Sequence, residues 1–95
     1  MLAIVESAEV MGAVDEAAQR WSRFHEAWEM LVWVLSRDPT VGQPLTETGN
    51  IRAFVFDGSW AHDMPTIDLV YEITAIQVVL QRVRFRDAQT SAGTA

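Results

Sequence analysis

I-D-L-V-Y-E-I-T-A-I-Q-V-V-L-Q-R-V-R-F-R, residues 67–86, is the most apolar extended stretch of the chain. It reads as two strands joined by a tight turn. Side chains alternate across a strand. In the first strand Ile67, Leu69, Tyr71 and Ile73 therefore share one face, with Asp68, Val70 and Glu72 on the other. In Ile76–Arg86 one parity holds Ile76, Val78, Leu80, Arg82, Arg84 and Arg86; the other holds Gln77, Val79, Gln81, Val83 and Phe85. The apolar face changes parity between Leu80 and Val83. That predicts a β-bulge, or a strand whose first half is covered on both faces.

Upstream, Ile51–Asp57 alternates and is rich in aromatic and branched residues, which predicts a strand. It is bracketed by Thr40–Asn50, a loop by its Gly, Pro and Thr content, and by the longer loop Gly58–Thr66 with Trp60, His62, Met64 and Pro65. Before these comes helical periodicity. Ser7 is a predicted N-cap, with Glu9 in the first turn where it suits the helix dipole. Val10 or Met11, Val14, Ala17 or Ala18 and Trp21 follow at helical spacing. Gly12 is a candidate for close approach to the sheet. Ser22 is a second N-cap candidate, ahead of Phe24, Trp28, Leu31, Val32 and Leu35. Asp38-Pro39 ends this run, because the residue before proline is pushed out of the α region. The spacing fits either two helices in a tight hairpin or one bent helix over residues 8–36. Leu2–Val5 is short, apolar and β-compatible. The order is thus β-α-α-β-β-β, an α+β fold with two helices packed on an antiparallel sheet whose last strands form the hairpin. Residues 1–86 read as a single domain and 87–95 as a flexible C-terminal tail.

The 95 residues are 49% hydrophobic, enough for one core, and contain no cysteine, so neither disulfides nor thiolate metal sites arise. No apolar run reaches the ~20 residues of a membrane helix, and the N-terminus lacks signal-peptide character. The expectation is a soluble, cytoplasmic protein without membrane contact. Net charge is −6, and all seven basic residues are arginine. Such a balance disfavours general nucleic-acid binding, which depends on basic groups neutralising phosphates.

Arg82, Arg84 and Arg86 form the one basic cluster. Guanidinium forks on alternate strand residues suit phosphate or carboxylate; the competing reading is a solvated face paired with Asp68 and Glu72 across the hairpin. Arg52 with Asp57 reads as an exposed strand pair or as part of a site. Tyr71 reads as core, its hydroxyl finding a partner at the rim. His25 and Glu29 are one helical turn apart, but no second histidine stands on that helix, so no metal site is expected. His62-Asp63 could orient a base, yet no nucleophile accompanies it and no phosphate-cradling glycine loop exists. No cofactor is expected. Trp21, Trp28, Trp33 and Trp60 are core candidates, with Trp33 and Trp60 also candidates for partner contact, where tryptophan is a preferred anchor.

Several segments together resemble the RelE/ParE superfamily of bacterial toxins from type II toxin–antitoxin pairs. They are W-E-M-L-V-W-V-L-S-R-D-P (Trp28–Pro39), V-G-Q-P-L (Val41–Leu45), G-N-I-R-A-F (Gly49–Phe54), I-D-L-V-Y-E-I (Ile67–Ile73) and V-V-L-Q-R-V-R-F-R. The resemblance spans nearly the whole chain. It implies a growth-inhibiting toxin neutralised by a cognate antitoxin and directed at gyrase or at mRNA on the ribosome. For the nuclease members it implies a basic cluster, onto which Arg52, Arg82 and Arg84 map as catalytic candidates, with His62 or Tyr71 moving protons. Arg82, Arg84, Arg86, Trp33 and Trp60 are the candidate partner contacts. Without lysine and at a charge of −6, a member acting by protein binding, or with degenerate nuclease activity, is expected over an active ribosome-dependent endoribonuclease. A non-enzymatic oligomerising domain, for instance a homodimer through the helix tryptophans, is the third reading.

Overall fold

The structure, a computed structural model, describes residues 2–88. Strand β1 (Ala3–Glu6) leads into helices α1 (Ala8–Arg20) and α2 (Phe24–Arg37); β2 (Gln43–Pro44), β3 (Ile51–Phe56), β4 (Thr66–Ile73) and β5 (Gln77–Arg86) follow. Short 3-10 turns occupy Pro39–Val41 and Trp60–His62. The sheet order is β1-β5-β4-β3-β2. The α+β layout matches the sequence reading, with one correction: the sheet is mixed, because β1 pairs parallel to β5, Ala3 beside Gln77 through Glu6 beside Leu80. Thr40–Asn50 likewise contains more than loop, since β2 pairs antiparallel with Ala53 and Arg52.

The parity switch in β5 is a bulge. Ile67 faces Phe85 and Leu69 faces Val83, but Tyr71 faces Leu80 and Ile73 faces Val78, so the register slips at Val70/Tyr71 and Gln81 is the extra residue. The slip keeps Val78, Leu80, Val83 and Phe85 all toward the helices despite their mixed parity. It is braced by Ser7. The Ser7 hydroxyl accepts from Val10 N at 3.2 Å, capping α1, and donates to Gln81 O at 3.3 Å, while Ser7 N donates to Leu80 O at 3.1 Å. The hairpin turn is Thr74–Gln77. Thr74 Oγ1 accepts from Gln77 N at 3.0 Å, so β5 begins at Gln77 and Ile76 stands exposed in the turn.

Residues 8–37 form two helices rather than one bent helix. Trp21 is extended (φ −114°, ψ 124°), and the next two backbone N–H groups go to Asp63 in the β3–β4 loop. Ser22 N donates to Asp63 Oδ2 at 2.7 Å and Arg23 N to Asp63 O at 3.4 Å. Ser22 therefore lies in the junction and does not cap α2, whose N-cap is Arg23. Both helices cover one sheet face. Val10, Ala17, Phe24, Ala27, Leu31 and Leu35 meet Ile67, Leu69, Tyr71, Val78 and Leu80 in a single core. Phe85 is its aromatic hub, with ring centroids 5.1 Å from Phe24, 5.8 Å from Trp28 and 6.4 Å from Trp21. Gly12 is no point of close approach: a Cβ there would meet nothing within 4 Å.

Asp87 and Ala88, read with the tail, pack on the domain. Trp21 Nε1 donates to Asp87 Oδ1 at 3.1 Å, Arg20 bridges the same carboxylate, and Ala88 is buried. The rest of the predicted tail lies outside the described residues.

Candidate partner-binding face

The sheet face turned away from the helices carries the even-numbered residues of β4, the odd-numbered residues of β3 and, beyond the bulge, the arginines of β5. Across the strands this gives two rows, Val55–Asp68–Arg84 and Ala53–Val70–Arg82. They line a shallow depression of about 380 Å³ whose floor is apolar. Val55 is 50% exposed, a large apolar residue left in water beside the open edge of the sheet. Strand β2 covers only Arg52 and Ala53, so among the described residues Phe54–Phe56 form a free strand edge next to this floor.

The arginines divide. Arg86 and Arg84 both donate to Asp68, Arg86 Nε at 2.9 Å and Arg84 Nη2 at 3.3 Å from Oδ2. This is the cross-hairpin pairing foreseen for Asp68; Glu72 instead accepts from Gln81 Nε2 at 3.4 Å. Hydrogen bonding from Arg86 chiefly, opposed by burial and aided by Arg84, holds the Asp68 carboxyl below the usual carboxylate range. Arg84 nonetheless remains 76% exposed. Arg82 is exposed and, among the described residues, is in no salt bridge. Two solvated guanidiniums thus overhang an apolar floor, an arrangement suited to carboxylates on a segment that also has apolar side chains to bury.

Arg52 does not join them. It pairs in register with Tyr71, whose ring is in the core, so it lies on the helix-covered side. Its Nη1 donates to Gly42 O at 2.8 Å and Thr40 O at 3.1 Å, and its Nε to Gly49 O at 2.8 Å. Three carbonyls of the 40–49 segment converge on one side chain, which is a structural clamp. The expected Arg52–Asp57 pair is absent, because strand alternation sends the two to opposite faces. Tyr71 completes the clamp: its hydroxyl donates to Pro39 O at 2.6 Å and accepts from Gly42 N at 3.0 Å. Burial raises its pKa.

His62 is equally remote from Arg82 and Arg84. Its loop is tied through Asp63 to the α1–α2 junction on the helix side, and its Nδ1 lies 2.7 Å from Ser59 Oγ. Trp60, 64% exposed, stands on the same loop, beside Trp21 and Met64. Trp33, 59% exposed, is on the outer face of α2 with the Arg37 guanidinium 4.9 Å from its ring centre. The candidate residues therefore fall in four places: Arg82, Arg84 and Arg86 share the open sheet face, Arg52 and Tyr71 the clamp on the 39–49 segment, His62 and Trp60 the β3–β4 loop, and Trp33 stands on the outer face of α2.

Sequence reasoning missed Val55 and Val70 as the floor, although the alternation of Ile51–Asp57 and Ile67–Ile73 carried that signal. It also missed Asp63 as the helix-junction tie, for which the loop sequence has no marker. Among the described residues no group of three His, Asp or Glu side chains could hold a metal, and no helix is long and apolar enough to cross a membrane. No protein-family model, no curated protein and no solved structure matches the chain.

Proposed function

We propose that the chain is a RelE/ParE-like toxin component whose open sheet face binds an acidic, partly apolar segment of a cognate antitoxin, with nuclease chemistry lost or degenerate. The observation that carries this reading is the setting of Arg82 and Arg84. They overhang the Val55–Val70 floor, and the carboxylate beside them, Asp68, is tied to Arg84 and Arg86 with its pKa lowered, which makes it a weak base. Phosphodiester cleavage needs charge stabilisation and also a group to move a proton. Arginine supplies the first and stays protonated at any working pH. The two groups that the resemblance would use for the second are spent elsewhere, Tyr71 on Pro39 and Gly42 and His62 beside Ser59. The net charge of −6 further favours carboxylates displayed on a local basic patch over extended contact with RNA. The β-α-α-β-β-β-β order, in which β2 is only two residues long, and the residues of the resemblance support this reading.

The test is calorimetric titration with the product of any short frame adjoining the gene, alongside induced expression with growth, mRNA-cleavage and gyrase assays. The double variant Arg82→Glu/Arg84→Glu is expected to weaken partner binding by roughly a hundredfold or more, as loss of paired interface charges does. Undiminished binding would exclude this face. RNA cleavage that disappears in Arg82→Ala/Arg84→Ala would establish the nuclease alternative instead.

A further inference from the structure

The outer face of α2 carries a second feature, independent of the sheet face and on the other side of the molecule. Glu26, Met30, Trp33 and Arg37 are all exposed and follow one another at helical spacings of four, three and four residues. They form a stripe distinct from the core stripe of Phe24, Ala27, Leu31 and Leu35. Met30 is 53% and Trp33 59% exposed, a large apolar pair that the fold leaves uncovered. A shallow depression of about 410 Å³ lies beside them, bounded by Glu26, Glu29, Met30, Trp33 and Val34.

We propose that this stripe is a self-association surface, on which a second copy of the chain packs with its α2 antiparallel. The stripe is self-complementary on reversal. A two-fold axis between Leu31 and Val32 sets Met30 against the second copy's Trp33, and Glu26 against its Arg37, each contact occurring twice, as an isologous interface requires. Thioether–indole contact is favourable packing, and the depression gives the incoming indole a seat. Charge selects the antiparallel arrangement. Glu26 and Glu29 mark one end of the stripe and Arg37 the other. A parallel arrangement would set acid against acid and arginine against arginine in a chain already at −6. Among the described residues Arg37 has no salt bridge and rests on the Trp33 ring, so it is available to the second copy. Glu26 holds Arg23, Nε to Oε1 at 3.0 Å, while Glu29 beside it is, among the described residues, in no salt bridge, so the acidic end retains capacity. Asp38, just past Arg37, is engaged with Thr40. One helical stripe covers less than the ~800 Å² per partner of a standard complex. The dimer is accordingly weak and concentration-dependent.

Sedimentation equilibrium on the full chain, from about 10 μM to about 1 mM, tests this. A monomer–dimer equilibrium weakened by added salt is expected. Trp33→Asp is expected to weaken it roughly thirtyfold or more. An unchanged circular dichroism spectrum and urea midpoint would show that this exposed substitution leaves the fold intact. Arg37→Glu alone and Glu26→Arg/Glu29→Arg alone should each weaken self-association by about tenfold. An equimolar mixture of the two should recover it, because only the mixed dimer pairs opposite charges at both ends. A strict monomer at the highest concentration overturns the proposal. A dimer indifferent to Trp33→Asp overturns its location, and a mixture without recovery overturns the antiparallel arrangement. None of these readouts depends on partner binding at the sheet face, so either proposal can fail without the other.

Discussion

Tyr71 reads in sequence as a core residue with its hydroxyl at the rim, and in structure that hydroxyl is a fastener. One hydroxyl satisfies Pro39 O and Gly42 N, and Arg52 satisfies three more groups of the same segment. Tyr71→Phe leaves a buried donor and acceptor unpaired and is expected to cost about 1–3 kcal/mol, read as a lower urea midpoint with an unchanged slope. Gly42→Ala should act on the same lock from the other side, since its Cβ would stand 2.6 Å from the Tyr71 hydroxyl and 2.8 Å from Ala53 O. The carboxylates make a pH prediction. Asp63 is lowered chiefly by the hydrogen bond from Ser22 N, and Asp68 chiefly by Arg86. A carboxyl whose pKa is depressed by folding adds stability above its unfolded value, near ~3.9, and loses it as pH falls through the lower folded value. Stability should therefore decline from about pH 4 downward, and less steeply in Asp68→Asn, followed by thermal denaturation across an acid series.

At the scale of elements, the bulge at Gln81 decides which way three arginines point. Deleting the extra residue would leave Leu80 opposite Tyr71 and Arg82 opposite Val70 in an unbroken ladder, so the arginines keep their face. Deletion of Gln81 is therefore expected to preserve partner binding at that face while lowering the urea midpoint, because the hydrogen bond from Ser7 Oγ to Gln81 O is lost. The aromatic hub sets a second expectation: Phe24→Ala, at a fully buried position, should cost about 3–5 kcal/mol. Much of this was legible in sequence. Alternation located β3 and β4, the parity switch located the bulge, and Ser7 announced its helix. What stayed illegible depended on contacts between distant segments. Nothing in Leu2–Val5 says that it pairs parallel with residue 77 onward, and nothing in His62-Asp63 says that it will terminate a helix forty residues earlier. The basic cluster was legible as a cluster. That Arg52 lies on the far side of the sheet followed from a register that only the assembled strands define.

At the scale of the whole molecule, the two surfaces described are back to back, a sheet face with a basic rim and a helix face with an apolar centre. Partner binding on one and self-association on the other are geometrically compatible. Titrating the partner into Trp33→Asp is expected to give the same affinity as the wild type within about twofold, as additivity between distant sites requires.

The position of β5 between β1 and β4 has a further consequence for synthesis. Among the described residues, residues 3–6 have their only strand partner in residues 77–80, so the first of these strands to be made must wait for the last of them. A nascent chain bearing β1, both helices and even β3 still lacks the strand that joins the sheet. The arginine-bearing face comes into being only when residues 77–86 clear the ribosome.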